Sequence, residues 1–200
     1  SSHHIVRDDQ EPALIIANGA ACSQELLGQL LEWSPFVVVL DSAIERVLEL
    51  EIKVDVLLGD FDSGFDANYY KEIQYPLEII HTPNQDKTDL EKAFEFLIER
   101  NFSAVNVVWA TGKRADHTIT NITSIAKFRN QLKIVLFDDH SKIHLLPQKF
   151  QKWYPKNTVI SLIPIGEVHG IHSENLFYPL QNDSLTIGYR TGNSNHVTED

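Results

Sequence analysis

The chain has 200 residues, 42% hydrophobic and 22% charged, the balance of an ordinary globular protein with length for one large domain or two small ones. Its net charge of −11 and its lack of any Lys/Arg-rich stretch argue against nucleic acid and anionic membrane as partners. Cys22 is the single cysteine, so no intrachain disulfide can form and a reducing, cytoplasmic setting is expected; no apolar run reaches transmembrane length and no signal peptide is visible.

The opening Ser1-Ser2-His3-His4 reads as a tag remnant and carries no functional weight. Ala13 to Ala17 predicts a buried strand ending at Asn18-Gly19, followed by a helix from Ser23 to Trp33 with Leu26, Leu27, Leu30 and Leu31 on one face. Phe36 to Leu40 is a nearly continuous β-branched run, the pattern of a strand covered on both sides, and Ser42 to Leu50 reads as helix. Val54 to Leu58 is the next strand, Asp66 to Glu72 a short helix, and Leu77 to Ile80 another strand. The best-defined helix follows. Leu90, Ala93, Phe94, Leu97 and Ile98 form a core-facing stripe, with capping-box spacing between Thr88 and Glu91. Val105 to Trp109 and Leu132 to Phe137 read as strands on either side of a helix from Ala115 to Phe128.

Beyond that point the texture changes to short alternating pieces: Lys142 to Leu146, Val159 to Ile163, Glu167 to His172, Leu176 to Tyr178 and Ser184 to Arg190. Gly, Pro, Asn and Asp punctuate them, which predicts a small antiparallel β-sandwich or barrel. The expected fold is therefore an α/β domain with a mostly parallel sheet over residues 11–140, plus an all-β sandwich domain over 141–200.

Four polar motifs each follow an apolar run: L-D-S at Leu40 to Ser42, G-D-F-D-S at Gly59 to Ser63, Q-D-K-T-D-L-E-K at Gln85 to Lys92, and T-G-K-R-A-D-H at Thr111 to His117. In an open parallel sheet the strands' carboxyl ends share one edge, and ligands bind there. The motifs are thus expected to meet and to bring together Asp60, Asp62, Asp86, Asp89 and Asp116. Two carboxylates about 4 Å apart repel by roughly 4 kcal/mol at an effective dielectric near 20. Such a cluster points to a cation, here Mg²⁺ with a phosphorylated ligand.

Within the motifs, Asp60 and Asp62 can face one ion while Phe61 points back into protein, although Asp, Ser and Gly also make ordinary turns. Asp86, Asp89 and Lys92 are spaced to put a carboxylate and an ammonium near a helix start, on a face opposite the Leu90/Phe94 stripe. That pattern suits a Mg–phosphate pair and equally a capped helix with a surface ion pair. Gly112 to Asp116, with Lys113 and Arg114, forms a strand-to-helix turn that can cradle an anion. Asp116 would bind metal or a substrate hydroxyl, and His117 is either a base or a structural first-turn residue.

The ordered set G-D-F-D-S, D-x-T-D-x-x-K and G-x-R-x-D-H-x-x-x-N resembles the thiamine pyrophosphokinase family over nearly the whole chain. The resemblance implies a homodimeric enzyme that transfers a pyrophosphoryl group from ATP to thiamine, giving thiamine diphosphate and AMP. It implies Mg²⁺ on Asp60, Asp62 and Asp89, with Lys92, Arg114 and Asp116 near the phosphates and the reacting hydroxyl. It also assigns Asp41, Ser63, Asp86, Gly112, His117 and Asn121 to the nucleotide–metal site, and Gln85 to the thiamine pocket. Ser194, in G-N-S-N at Gly192 to Asn195, would reach thiamine from the partner subunit. The chain departs from the family at Asp41-Ser42-Ala43, where Asp-Gly-Gly is usual, and at Lys113, where glycine is common. It also stops at Asp200, where a further strand or two is expected. Two other readings stand beside this one: a haloacid-dehalogenase-type phosphatase with Asp60 as nucleophile, and a non-catalytic sensor that binds thiamine diphosphate or a nucleotide.

Overall fold

Short apolar runs with no polar alternation cannot face water on either side, and they form the middle of the first sheet. β1 (Ala13–Ile16), β2 (Val37–Leu40) and β3 (Val56–Gly59) are buried at every position. β4 (Glu78–His81), β5 (Ala104–Val108) and β6 (Lys133–Phe137) complete a parallel set in the order β4-β3-β2-β1-β5-β6. β7 (Lys142–His144) pairs antiparallel with β6 and closes that edge. The computed structural model describes residues 11–200, so the tag-like start lies outside the described residues.

Helices cover both faces of this sheet. Leu14, Ile16, Val37, Val39 and Leu57 pack with Leu27 of α1 (Gln24–Leu31) and with Ile44 and Val47 of α2 (Ile44–Glu49). Ile15, Val38, Leu40 and Leu58 pack on the other side with Leu90, Phe94 and Leu97 of α4 (Asp89–Glu99) and Ile125 of α5 (Ala115–Lys127). A short α3 (Ala67–Ile73), capped by Asp66, precedes β4. At α4 the Thr88 hydroxyl accepts from Glu91 N–H at 3.1 Å, one half of the expected capping box. The Glu91 carboxylate is drawn instead to Lys127 at 2.9 Å. The expected helix from Ser42 splits into a 3₁₀ turn over Asp41–Ala43 and α2, because Ser42 N–H binds the Asp41 carboxylate at 2.7 Å.

The chain divides after Leu145 into two units. Because β7 belongs to the first sheet, this boundary falls a few residues beyond the expected one at 140/141. In the second unit, β8 (Val159–Leu162) pairs antiparallel with β11 (Gly192–His196), and β9 (Glu167–Ile171) with β10 (Asp183–Thr186). Leu180, Leu185 and Val197, with Pro164, are its buried apolar side chains. The expected strand at Leu176 to Tyr178 is reduced to one bridge, Leu176 to Val197. The one expected to reach Arg190 stops at Thr186, where the chain turns back on itself through Gly188 at φ +79°. An α/β unit with a mostly parallel sheet, followed by small antiparallel β pairs, is the architecture the sequence predicts.

Candidate active site

Three of the four motifs interlock at the carboxyl ends of β2, β3 and β4. Asp41 leaves β2 with its Oδ2 accepting from Phe61 N–H at 3.0 Å. Its carboxyl lies flat against Gly59, where any Cβ would overlap it, so Gly59 is required by close approach. Phe61 has φ +44° and turns the chain so that Asp60 and Asp62 flank it, while its ring stacks on Phe65 at 4.1 Å against the core. Asp60 Oδ2 accepts from Gln85 Nε2 at 2.8 Å, and His81 Nε2 stands 3.8 Å from its Oδ1. Asp62 accepts from Gly64 N–H at 3.2 Å, and Ser63 is exposed in the same turn. Asp86 is exposed in the turn before α4, its N–H held by Asn84.

Lys92 departs from expectation. Its side chain is buried rather than presented on an outer face, and its ammonium donates to Thr82 O at 2.8 Å, with Asp89 at 3.5 Å. A buried ammonium needs compensation, and the carbonyl at the end of β4 provides it. Lys92 therefore ties α4 to the exit of β4.

The fourth motif joins a different set of loops. Ala20 N–H donates to Thr111 O at 2.8 Å, and the Thr111 hydroxyl donates to Asp138 at 3.1 Å, so this turn sits with the exits of β1 and β6. Gly112 and Lys113 both have positive φ, +76° and +56°, which is why a glycine is favoured at each. Arg114 grips Asp116 in a two-point bond, Nε at 3.1 Å and Nη2 at 2.6 Å. That guanidinium, with the His117 N–H, holds the Asp116 carboxyl below the usual carboxylate range. Asp116 is thus a weak base in this arrangement. Asn121 donates to Ala110 O at 2.8 Å, anchoring α5 to the end of β5.

In the second unit Ser194 is exposed at φ +57°, its N–H bound to the Ser161 hydroxyl at 2.9 Å. The next residue, Asn195, is buried and spans the Tyr178 backbone, accepting from its N–H at 2.9 Å and donating to its carbonyl at 2.8 Å. The asparagine of this motif builds the strand that displays the serine.

The five carboxylates expected to meet do not converge: among the described residues no three acid, histidine or cysteine side chains share a point from which they could hold one ion. Local donors explain the dispersal, since Gln85, Gly64 N–H and Arg114 each engage a different carboxylate. The donor set at Asp60, Asp62 and Asp89 is nonetheless all-oxygen and largely solvent-facing, which suits a hard cation such as Mg²⁺. Among the described residues no helix is long and apolar enough to cross a membrane.

A doubly wound sheet with carboxylates and a guanidinium at its strand ends, followed by a small antiparallel unit, defines a class of α/β protein whose ligands bind at the strands' carboxyl edge, with an appended β module. The model of the thiamin pyrophosphokinase catalytic domain matches residues 27–136, and that of the thiamin pyrophosphokinase vitamin B1 binding domain matches 143–200. This chain belongs to the thiamin pyrophosphokinase family. It is 31% identical over 136 residues to thiamine pyrophosphokinase of Bacillus subtilis, covering 65% of this chain and 63% of that protein. To thiamin pyrophosphokinase 1 of Caenorhabditis elegans it is 26% identical over 177 residues, covering 80% and 71%. The crystal structure of the Bacillus subtilis thiamine pyrophosphokinase superposes with TM-score 0.76 at 23% identity, covering 94% of this chain and 91% of that one. Neither the phosphatase nor the sensor reading gains support from these matches.

Proposed function

We propose that this chain transfers a pyrophosphoryl group from ATP to the hydroxyl of thiamine, giving thiamine diphosphate and AMP, in a reducing, cytoplasmic setting. The observation that carries the reading is the matching of both parts of one enzyme family, catalytic and vitamin-binding, in order along the chain. The motif residues support it independently, because they lie in strand-end loops or in helices α4 and α5 that follow them, at the edge of a parallel sheet where ligands bind.

In this reading Asp60, Asp62 and Asp89 would be drawn together around Mg²⁺, Asp60 leaving Gln85 to do so, and the ion would supply neutralisation of phosphate charge. Asp41, Ser63 and Asp86 line the same loops, and Gln85, released from Asp60, orients thiamine beside them. Phosphoryl-type transfer is mostly positioning and charge neutralisation. Arg114 turns from Asp116 to the phosphates, and Asp116 then accepts a hydrogen bond from the thiamine hydroxyl, aligning its oxygen with the β-phosphorus. Gly112 and the first N–H groups of α5, near His117, receive phosphate oxygens. Asn121 and Lys92 act by holding α5 and the β4 exit in place.

We also propose a homodimer in which Ser194 of one copy contacts thiamine bound by the other. The second unit leaves Phe177, Tyr178, Ile187 and Tyr189 more than half exposed, an apolar surface that a second copy would cover. The test is nucleotide separation after incubation with ATP and Mg²⁺, with and without thiamine. AMP appearing in step with thiamine diphosphate is expected. ADP as the sole nucleotide product, or phosphate release without thiamine, would overturn the assignment.

A further inference from the structure

We propose that Arg46, which belongs to none of the four motifs, is a positioning residue that fixes the loop after β1 against the loop after β5. It thereby sets where Arg114 and Asp116 stand relative to the carboxylate loops. The functional part of this inference rests on the reading given above.

Three contacts made by one guanidinium carry the argument. Arg46 Nη2 donates to Asn18 Oδ1 at 2.9 Å and to Gly19 O at 3.0 Å, the two residues that end the β1 segment. The same guanidinium lies over the ring of Trp109, 4.6 Å from its centre, and Trp109 is 1% exposed at the exit of β5. Trp109 has φ +59°, a left-handed conformation that is unfavourable for a bulky side chain and persists only where its surroundings enforce it. Between the two loops the contact is backbone on backbone. Gly19 N–H donates to Trp109 O, and a Cβ on Gly19 would strike the carbonyl oxygens of both Trp109 and Thr111. The Arg46 side chain, from α2, holds the Asn18–Gly19 turn through two bonds.

The neighbouring residue reaches the opposite way. Glu45 accepts from the Tyr70 hydroxyl, and Tyr70, Phe65 and Phe61 form a stacked ladder, at 5.2 and 4.1 Å, that ends between Asp60 and Asp62. α2 is thus a short strut that follows the 3₁₀ turn of Asp41, with one arm on the carboxylate loops and the other on the loop that leads to Arg114. Both bonds leave one nitrogen, Nη2, while the planar guanidinium as a whole lies over the indole; a lysine ammonium could reach the two acceptors but has no flat group to lay on the ring at the same time.

The test compares Arg46→Met, Arg46→Lys and Tyr70→Phe by amide hydrogen exchange and by steady-state AMP formation. In Arg46→Met, protection of the Gly19 and Ala20 amides should fall by about 10-fold or more, while β3 and α4 stay protected. kcat should fall by at least about 10-fold with KM for ATP and thiamine changed less than about 3-fold, the pattern of lost alignment rather than lost binding. Arg46→Lys should show the same local loss of protection, and it keeps the test open if the methionine variant does not fold. Tyr70→Phe should leave Gly19 and Ala20 protected. Unchanged protection in both Arg46 variants, or lost protection with kcat intact, would overturn the proposal. Should the parent protein form no AMP at all, the pyrophosphokinase reading fails, and the exchange measurement alone decides whether Arg46 is the clamp.

Discussion

The two units of the chain solve the same packing problem to different depths. In the first, strands buried on both faces carry the polar motifs at their ends, so each functional loop starts from a fixed point. In the second, β9 is exposed at four of five positions, and the unit is held together by a few apolar side chains and by polar bonds such as those of Asn195 to Tyr178. The contrast teaches where rigidity comes from. A buried parallel sheet provides it through hydrophobic contact, whereas a small antiparallel module relies on specific hydrogen bonds and on whatever covers its outer surface.

The comparison breaks first on core substitutions. Leu57→Ala, in the fully buried β3, should destabilise by about 2–5 kcal/mol, while Val168→Ala, on the exposed face of β9, should stay within about 0.5 kcal/mol. Chemical denaturation monitored by circular dichroism checks both, and equal losses would erase the distinction. A kinetic version sharpens it. Asp60→Asn should lower kcat at least about 100-fold, the kinetic equivalent of losing roughly 3 kcal/mol of charge stabilisation. Ser194→Ala should instead raise KM for thiamine more than KM for ATP. If both variants lose kcat alone, chemistry and binding are not divided between the units as proposed.

A smaller effect is expected at Lys113, the one position of the fourth motif where the chain departs from the family's usual glycine. Its φ of +56° is strained for any residue with a Cβ, so Lys113→Gly should raise stability by up to about 1 kcal/mol, read as a shift in thermal midpoint. The smallest concerns Asp116. Its carboxyl titrates below the usual range because Arg114 binds its charged form, so the contribution of this pair is present above the ordinary aspartate pKa and is lost as pH falls through the depressed one. Arg114→Ala should move the Asp116 titration back up, measurable by carboxyl NMR; an unmoved titration would separate the two residues.

Much of the first unit was legible in the sequence because its signals are hydrophobic. The β2 and β3 runs and the Leu90–Ile98 stripe of α4 dictate buried strands and a core helix with little competition from other conformations. What escaped was decided by polar bonds. β11, Gly-Asn-Ser-Asn-His, is not among the expected strands, and it forms one because its Asn195 and the Ser161 hydroxyl opposite supply bonds that composition does not announce. Lys92 reads as a surface charge and is buried, since its partner is a backbone carbonyl ten residues earlier. Arg46 had one available signal, a cation just over one helical turn beyond the strand-end Asp41, and its partners lie in the loops after β1 and β5 that only the fold brings near. The carboxylates read as a single cluster from topology alone, yet Asp60, Asp62 and Asp116 each meet a local donor that spacing does not reveal.

The position of Trp109 gives the molecule an optical handle. Of its three tryptophans, Trp33 and Trp153 are about two-thirds exposed, whereas Trp109 is sealed beneath Arg46. A neutral collisional quencher dissolved in the buffer reaches the first two indoles and not the third. The emission that survives quenching therefore comes from one side chain at the junction of the β1 and β5 loops. Ligands that rearrange those loops can be followed by the colour and intensity of that residual light, with no label attached to the protein.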